Sequence, residues 1–254
     1  GRPRTTIVFI HGIAASGKMW STTIEHIQDA RCLTIDLLGF GKSVKPDFLD
    51  YSLDEHAKMI SYTLRKHRVR GPVIIVGYSL GALVAVEFAK QHPALIRSII
   101  LCAPPLYTNE AILQPDVRRQ LKDHRSSGYL ALYGLIRERQ KFAIDAVRRA
   151  KLILPIAKTV RLDAETWLPF ERTLRRSIEQ QTTLLDAERI THPMTIIYGT
   201  MDPVIIKGYI RELAQKAYNC RIIKVARATH RIDKRYASVV AEEIEKRILE
   251  DTTR

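Results

Sequence analysis

The stretch VIIVGYSLGALVAVEFA, residues 73–89, changes its periodicity at its centre. Val73-Ile74-Ile75-Val76 is a short β-branched run preceded by the turn signal Val69-Arg70-Gly71-Pro72, the pattern of a buried strand. Beyond Ser79 the residues Ala82, Leu83, Ala85, Val86 and Ala89 recur at helical spacing. Gly77 and Gly81 bracket the serine in the form G-x-S-x-G. The expectation is a tight strand-to-helix turn that lifts the Ser79 hydroxyl above the end of a sheet. Small flanking residues permit the close backbone approach such a turn needs, and the positive end of the helix dipole points at the hydroxyl.

The same alternation extends outward from this turn. Strand-like runs fall at residues 5–10, 32–36, 73–76, 98–102, 194–198 and 221–225, and helix-like segments at 19–28, 52–66, 80–91 and 236–249. Ser52 followed by Glu55 has the form of a capping box. Short apolar strands alternating with helices predict an α/β fold with a mostly parallel sheet covered on both faces. The alternation stops at Pro104-Pro105. Residues 105–190 contain no strand-like run and four helix-like segments, at 111–121, 129–139, 142–154 and 164–185, interrupted at Pro115, Pro155 and Pro169. An excursion of that length is a subdomain rather than a loop. The expected organisation is a core of residues 1–104 and 191–254, with a helical cap of residues 105–190 inserted into it.

Composition narrows the function classes. A chain of 254 residues with 46% hydrophobic content can bury a sizeable core, which excludes global disorder. No apolar run reaches bilayer length, and the first residues lack the apolar stretch of a signal peptide, so the expectation is no membrane span and a cytoplasmic protein. Cys32, Cys102 and Cys220 lie in or beside apolar runs with no metal-site spacing, the pattern of core thiols in a reducing compartment. The formal charge of +14 raises nucleic acid, anionic membranes and acidic proteins as partners. The excess is spread, however, at +5 over residues 1–104, +5 over 105–190 and +4 over 191–254. With no recognised nucleic-acid motif, the reading is a generally basic surface and no specific nucleic-acid partner. The first part of the expected cap, residues 105–161, holds 12 basic against 5 acidic residues. That segment is either a docking face for an acidic carrier protein or a solvated face of Arg–Glu pairs.

A serine hydroxyl is a poor nucleophile and needs a base. Of the eight histidines, His230 follows the last strand-like run, at the carboxyl end of a strand, where open α/β sheets place their chemistry. His67, His92 and His124 sit near helix ends or among charges, His192 precedes a proline, and His26 and His56 are read as surface or half-buried helix positions. Asp202, in Tyr198-Gly199-Thr200-Met201-Asp202-Pro203, also follows a strand and is the candidate that orients the base. Asp36 is its rival, but it opens the glycine-bearing loop Asp36–Ser43 and is read as structural. His11-Gly12-Ile13 follows the first strand, so the backbone amides of Ile13 and Leu80 are candidate donors to an oxyanion.

These residues resemble the α/β-hydrolase superfamily, in particular its capped carboxylesterase-like serine hydrolases. The resemblance rests on HG at 11–12, DLLGFGKS at 36–43, GYSLG at 77–81, YGTMDP at 198–203 and ATH at 228–230, in family order. It implies Ser79 as nucleophile, His230 as base, Asp202 as its orienting carboxylate, and the Ile13 and Leu80 amides as oxyanion hole. It implies a structural role for His11, no metal and no organic cofactor. Members that open epoxides or remove halide carry aspartate where this chain has Ser79. The family also places two further strands ahead of the HG strand, where here only Gly1–Arg4 stand; either residues ahead of Gly1 have been removed or the sheet is shorter on that edge, and an unpaired edge would be exposed unless a partner covers it.

Apolar residues of the cap segment, among them Leu130, Leu135, Phe142, Leu152, Trp167 and Leu168, favour a small-molecule ester or thioester with a modest acyl chain. The alternatives are a carbon–carbon bond hydrolase of a diketone-like acid, with Arg148, Arg172 or Arg175 holding its carboxylate, and a non-catalytic ligand receptor. Arg231 stands where carbon–carbon hydrolases often carry an aromatic residue, and a receptor has no need of serine, histidine and aspartate together.

Overall fold

The computed structural model describes residues 5–108, 141, 144–145 and 161–252. Six strands, β1 (Thr6–Ile10), β2 (Arg31–Ile35), β3 (Val73–Tyr78), β4 (Ile96–Cys102), β5 (Met194–Gly199) and β6 (Cys220–Val225), form one sheet. Its order is β2-β1-β3-β4-β5-β6, and every neighbouring pair is parallel. β3 and β5 are buried along their whole length, which is why their sequences read as unbroken apolar runs rather than alternating ones. Among the described residues β2 and β6 are the outer strands of the sheet, and Arg31 and Thr34 of β2 face solvent. Ser79 and His11 leave the carboxyl ends of β3 and β1, the adjacent strands between which the strand order reverses. Such a switch point leaves a crevice beyond the strand ends.

Helices cover the sheet. α1 (Ser21–Ile24), α2 (Leu53–Lys66) and α3 (Leu80–Gln91) precede β4. The helix expected over 19–28 is reduced to a 3-10 turn, Gly17–Trp20, followed by α1. Asp29 takes a left-handed φ of 52°, and the Gln28 amide is bonded to Glu245 rather than to a helical carbonyl. α2 has the expected reciprocal cap, Ser52 Oγ accepting from the Glu55 amide and the Glu55 carboxylate from the Ser52 amide. Every residue from Leu80 to Ala89 is buried, Glu87 being the one charged side chain among them, so α3 is a core helix rather than an amphipathic one.

After residue 160 the chain forms α4 (Ala164–Thr173), a π-helical turn (Leu174–Glu179) and α5 (Thr183–Glu188). The helix-like segment expected over 164–185 with an interruption at Pro169 instead continues through Pro169 and changes character at Leu174. Pro169 inside α4 supplies no amide, and the wider turn follows it. The helix-like segments at 111–121 and 129–139, most of 142–154, and the residues Leu130, Leu135, Phe142, Leu152, His124 and Arg148, lie outside the described residues. α6 (Lys207–Lys216), between β5 and β6, was not expected; its buried face is Ile210 and Leu213 alone. α7 (Lys234–Thr252) extends the expected final helix at both ends, with the Asp233 carboxylate accepting from the Tyr236 amide. Among the described residues no helix is long and apolar enough to cross a membrane.

Two buried imidazoles make stability depend on pH. His11 is fully buried, its Nδ1 donates to the Gly12 carbonyl, and its Nε2 accepts from the Leu37 amide at 2.8 Å. Burial pulls its pKa down to about 4. His56, expected at the surface or half-buried, is 1% exposed because it turns inward from the first turn of α2 beside Tyr51. Burial, reinforced by His11, pulls it down to about 3. Both rings stay neutral in the folded chain while the unfolded chain takes up protons below its ordinary histidine pKa of about 6.5. Stability therefore falls as pH drops through that value and toward the folded pKa values. Each withheld proton contributes a slope of about 1.4 kcal/mol per pH unit. Urea melts between pH 6 and 5 should show this slope, and His56→Leu should reduce it by the share of one proton. An unchanged slope in the variant would contradict the assignment.

Candidate active site

The sequence GYSLG forces an unusual backbone. Ser79 sits at φ 52°, ψ −119°, between the last residue of β3 and the first of α3. No side chain is tolerated two residues to either side of it, at Gly77 or Gly81. A Cβ on Gly77 would run into the Gly81 carbonyl, and one on Gly81 into the carbonyls of Ile10 and His11. The two glycines are therefore there for space, and the serine bears the strain. The turn is pinned by the Ser79 amide donating to the Cys102 carbonyl at 2.9 Å. Ser79 remains 7% exposed.

The three side chains expected to act together are brought together. The Ser79 hydroxyl lies 3.1 Å from His230 Nε2, and His230 Nδ1 lies 2.8 Å from Asp202 Oδ2. The carboxylate accepts the Nδ1 proton, which leaves Nε2 free to accept from the hydroxyl. Asp202 is 1% exposed, and its other oxygen accepts from the Val204 amide at 2.8 Å. A buried carboxylate so bonded fixes the imidazole tautomer and its orientation.

The rival carboxylate is committed elsewhere. Asp36 accepts from the amides of Gly17 and Lys42 at 2.7 and 2.8 Å, and its carbonyl accepts from Ser43 Oγ. It holds its own loop, and Gly41, at φ 55°, has no room for a Cβ beside its carboxyl group. Gly12 lies against the serine, since a Cβ there would come within 3.2 Å of Ser79 Cβ. That places the loop bearing the Ile13 amide beside Ser79, while Leu80 begins the helix directly after it. The arginines considered for a substrate carboxylate are tied down. Arg172 donates to the carbonyls of Asp47 and Leu49, and Arg175 pairs with Glu171; Arg148 lies outside the described residues.

One contact was not anticipated. The Tyr78 phenol donates to the His230 carbonyl at 3.0 Å. The pattern leaves the residue before the serine open, so only the hydroxylated aromatic ring there could have signalled it. All three cysteines are free. Among the described residues no cluster of three or more His, Cys, Asp or Glu is arranged to hold a metal ion.

Comparison with known proteins bears on the family and the fold. A family model described as alpha/beta hydrolase fold matches residues 5–232. The chain is 36% identical over 125 residues to the Arabidopsis thaliana protein named probable lysophospholipase BODYGUARD 4, covering 47% of this chain and 30% of that protein. It is 32% identical over 107 residues to a bovine (lyso)-N-acylphosphatidylethanolamine lipase, covering 41% of this chain and 31% of the lipase. The matches thus span about a third of these relatives' length. Among solved structures, an enol-lactonase from Burkholderia xenovorans superposes with a TM-score of 0.73 at 21% identity, covering 97% of this chain and 92% of the lactonase. A haloalkane dehalogenase loop variant from Bradyrhizobium elkanii superposes at 0.75 with 16% identity, covering 98% of this chain and 90% of that one; these two likenesses speak to the fold. With the parallel sheet, the strained serine turn and a match from residue 5 to residue 232, the chain belongs to the alpha/beta hydrolase fold family.

Proposed function

We propose that the protein is a serine hydrolase of carboxylic esters or thioesters, working through an acyl-enzyme on Ser79. The observation that carries this reading is the continuous chain from the Ser79 hydroxyl through His230 to Asp202, at 3.1 and 2.8 Å. As Ser79 Oγ attacks the substrate carbonyl, its proton passes to His230 Nε2, and the Asp202 carboxylate stabilises the resulting imidazolium. The carbonyl oxygen becomes an oxyanion, which the amides of Ile13 and Leu80 receive. The tetrahedral adduct collapses, and the leaving alcohol or thiol takes the proton from His230. A water then gives its proton to His230 and attacks the acyl group, releasing the acid and restoring Ser79.

The lipase and lysophospholipase names of the relatives support an acyl ester as substrate class. The carbon–carbon hydrolase reading stays the alternative; of its three candidate arginines, Arg172 donates to two backbone carbonyls and Arg175 pairs with Glu171 at the surface. A helical cap of residues 105–190 remains part of the proposal; its basic first part is either a solvated face of Arg–Glu pairs, the reading preferred, or a docking face for an acidic carrier protein. The test is hydrolysis of p-nitrophenyl esters from acetate to laurate. The expected result is a chain-length optimum that vanishes in Ser79→Ala. No hydrolysis of any member by the parent protein would count against the ester reading.

A further inference from the structure

We propose that Tyr78 is a positioning residue: it ties the His230 loop to the serine turn and so sets the Ser79–His230 contact. The proposal rests on reading Ser79 and His230 as nucleophile and base. The loop between β6 and α7 carries His230, and its local bonds lead mainly toward β5. The Met201 amide donates to the Ala228 carbonyl at 2.9 Å, and the Arg227 amide to Thr200 Oγ1 at 2.8 Å. At its far end, Asp233 caps α7. These bonds join the histidine loop to the segment that carries Asp202. They bear directly on the His230–Asp202 contact, whereas Ser79 stands on β3, two strands away from β5 across β4.

Tyr78 makes that crossing. It is the last residue of β3, immediately before Ser79, and 8% exposed. Its phenol donates to the His230 carbonyl at 3.0 Å, joining residues 152 apart in sequence. Its ring lies 5.2 Å from the imidazole, tilted by 34°. The ring also lies against Gly12, where a Cβ would come within 3.0 Å of Tyr78 Cδ1. One side chain thus touches the loop after β1, forms part of the serine turn and bonds to the histidine backbone. Small misplacements of a reacting pair are costly because the attack needs a narrow range of geometry.

Tyr78→Phe keeps the ring and removes the donor. Hydrogen exchange of the 226–233 segment should rise several-fold, while that of 200–204 stays as in the parent. On p-nitrophenyl butyrate, kcat should fall about tenfold while KM changes by less than about twofold, because the lost interaction acts on the transition state. In a His230→Ala background the same change should have no further effect on residual turnover, since two residues acting through one contact are not additive. Unchanged exchange in the 226–233 segment overturns the proposal. So does an equal fractional loss of kcat in both backgrounds, which marks a general structural role. A parent protein that hydrolyses no ester, with the exchange difference present, overturns the reading of function and leaves the Tyr78 tie standing.

Discussion

Ser79→Ala is expected to lower turnover on any ester the protein hydrolyses by about 10⁶, the loss seen when the serine is removed from a working triad. The expectation follows from what the substitution leaves behind. Asp202 keeps its bond from the Val204 amide, and His230 keeps its bond to Asp202. The backbone of the turn is held by the Cys102 carbonyl rather than by the serine side chain. Substrate binding and the proposed oxyanion donors survive, which in such sites leaves a residual rate about 10³–10⁴ over water. The melting temperature should be nearly unchanged, because alanine accepts the same backbone at similar strain and the hydroxyl is not needed for packing. A loss of activity accompanied by a large loss of stability would show that the turn itself had failed.

The largest effect on stability is expected at the opposite end of the sheet. Glu243, on α7, is 4% exposed. It accepts from Thr195 Oγ1 on β5 at 2.6 Å and from Arg247 Nε at 3.0 Å, and it pairs with Arg221 of β6 through both oxygens. Arg247 is itself 8% exposed and also donates to Thr195 Oγ1 at 2.8 Å. Glu243→Ala removes the buried counter-charge of Arg247 and leaves it Glu250, at 3.1 Å and 46% exposed. Breaking a buried pair on one side costs about 3–5 kcal/mol, against a total of about 5–15 kcal/mol for a typical domain. In a domain of this size that corresponds to a fall in Tm of roughly 10 °C. Calorimetry checks it. Well below the lowered Tm, kcat should match that of the parent, because none of these residues is at the site. A shift of only a degree or two would show that the network is worth no more than exposed pairs.

What could be read in advance follows the range over which each feature is encoded. The serine turn was legible because the change of period, the two glycines and the flanking apolar runs lie within one short stretch. His230 and Asp202 were legible because the ends of parallel strands converge on one edge, so position along the alternation predicts proximity. The burial of His56 was not legible. It depends on which face of α2 meets Tyr51 and His11, and the sequence around it is polar. α6 was missed because Ile210 and Leu213 are a thin apolar stripe among charged residues. The π-helical turn after Thr173 and the network around Glu243 depend on packing between segments far apart in the chain. The role of Asp36 was legible for a local reason: Gly39 and Gly41 mark a loop folded tightly on its own carboxylate.

The proposed activation of Ser79 by His230 can be read from the intact mass of the protein after treatment with a fluorophosphonate, followed by peptide mapping. A single covalent adduct on Ser79 is expected, absent in Ser79→Ala and formed far more slowly in His230→Ala. An adduct on another residue, or labelling at the parent rate without His230, would contradict it.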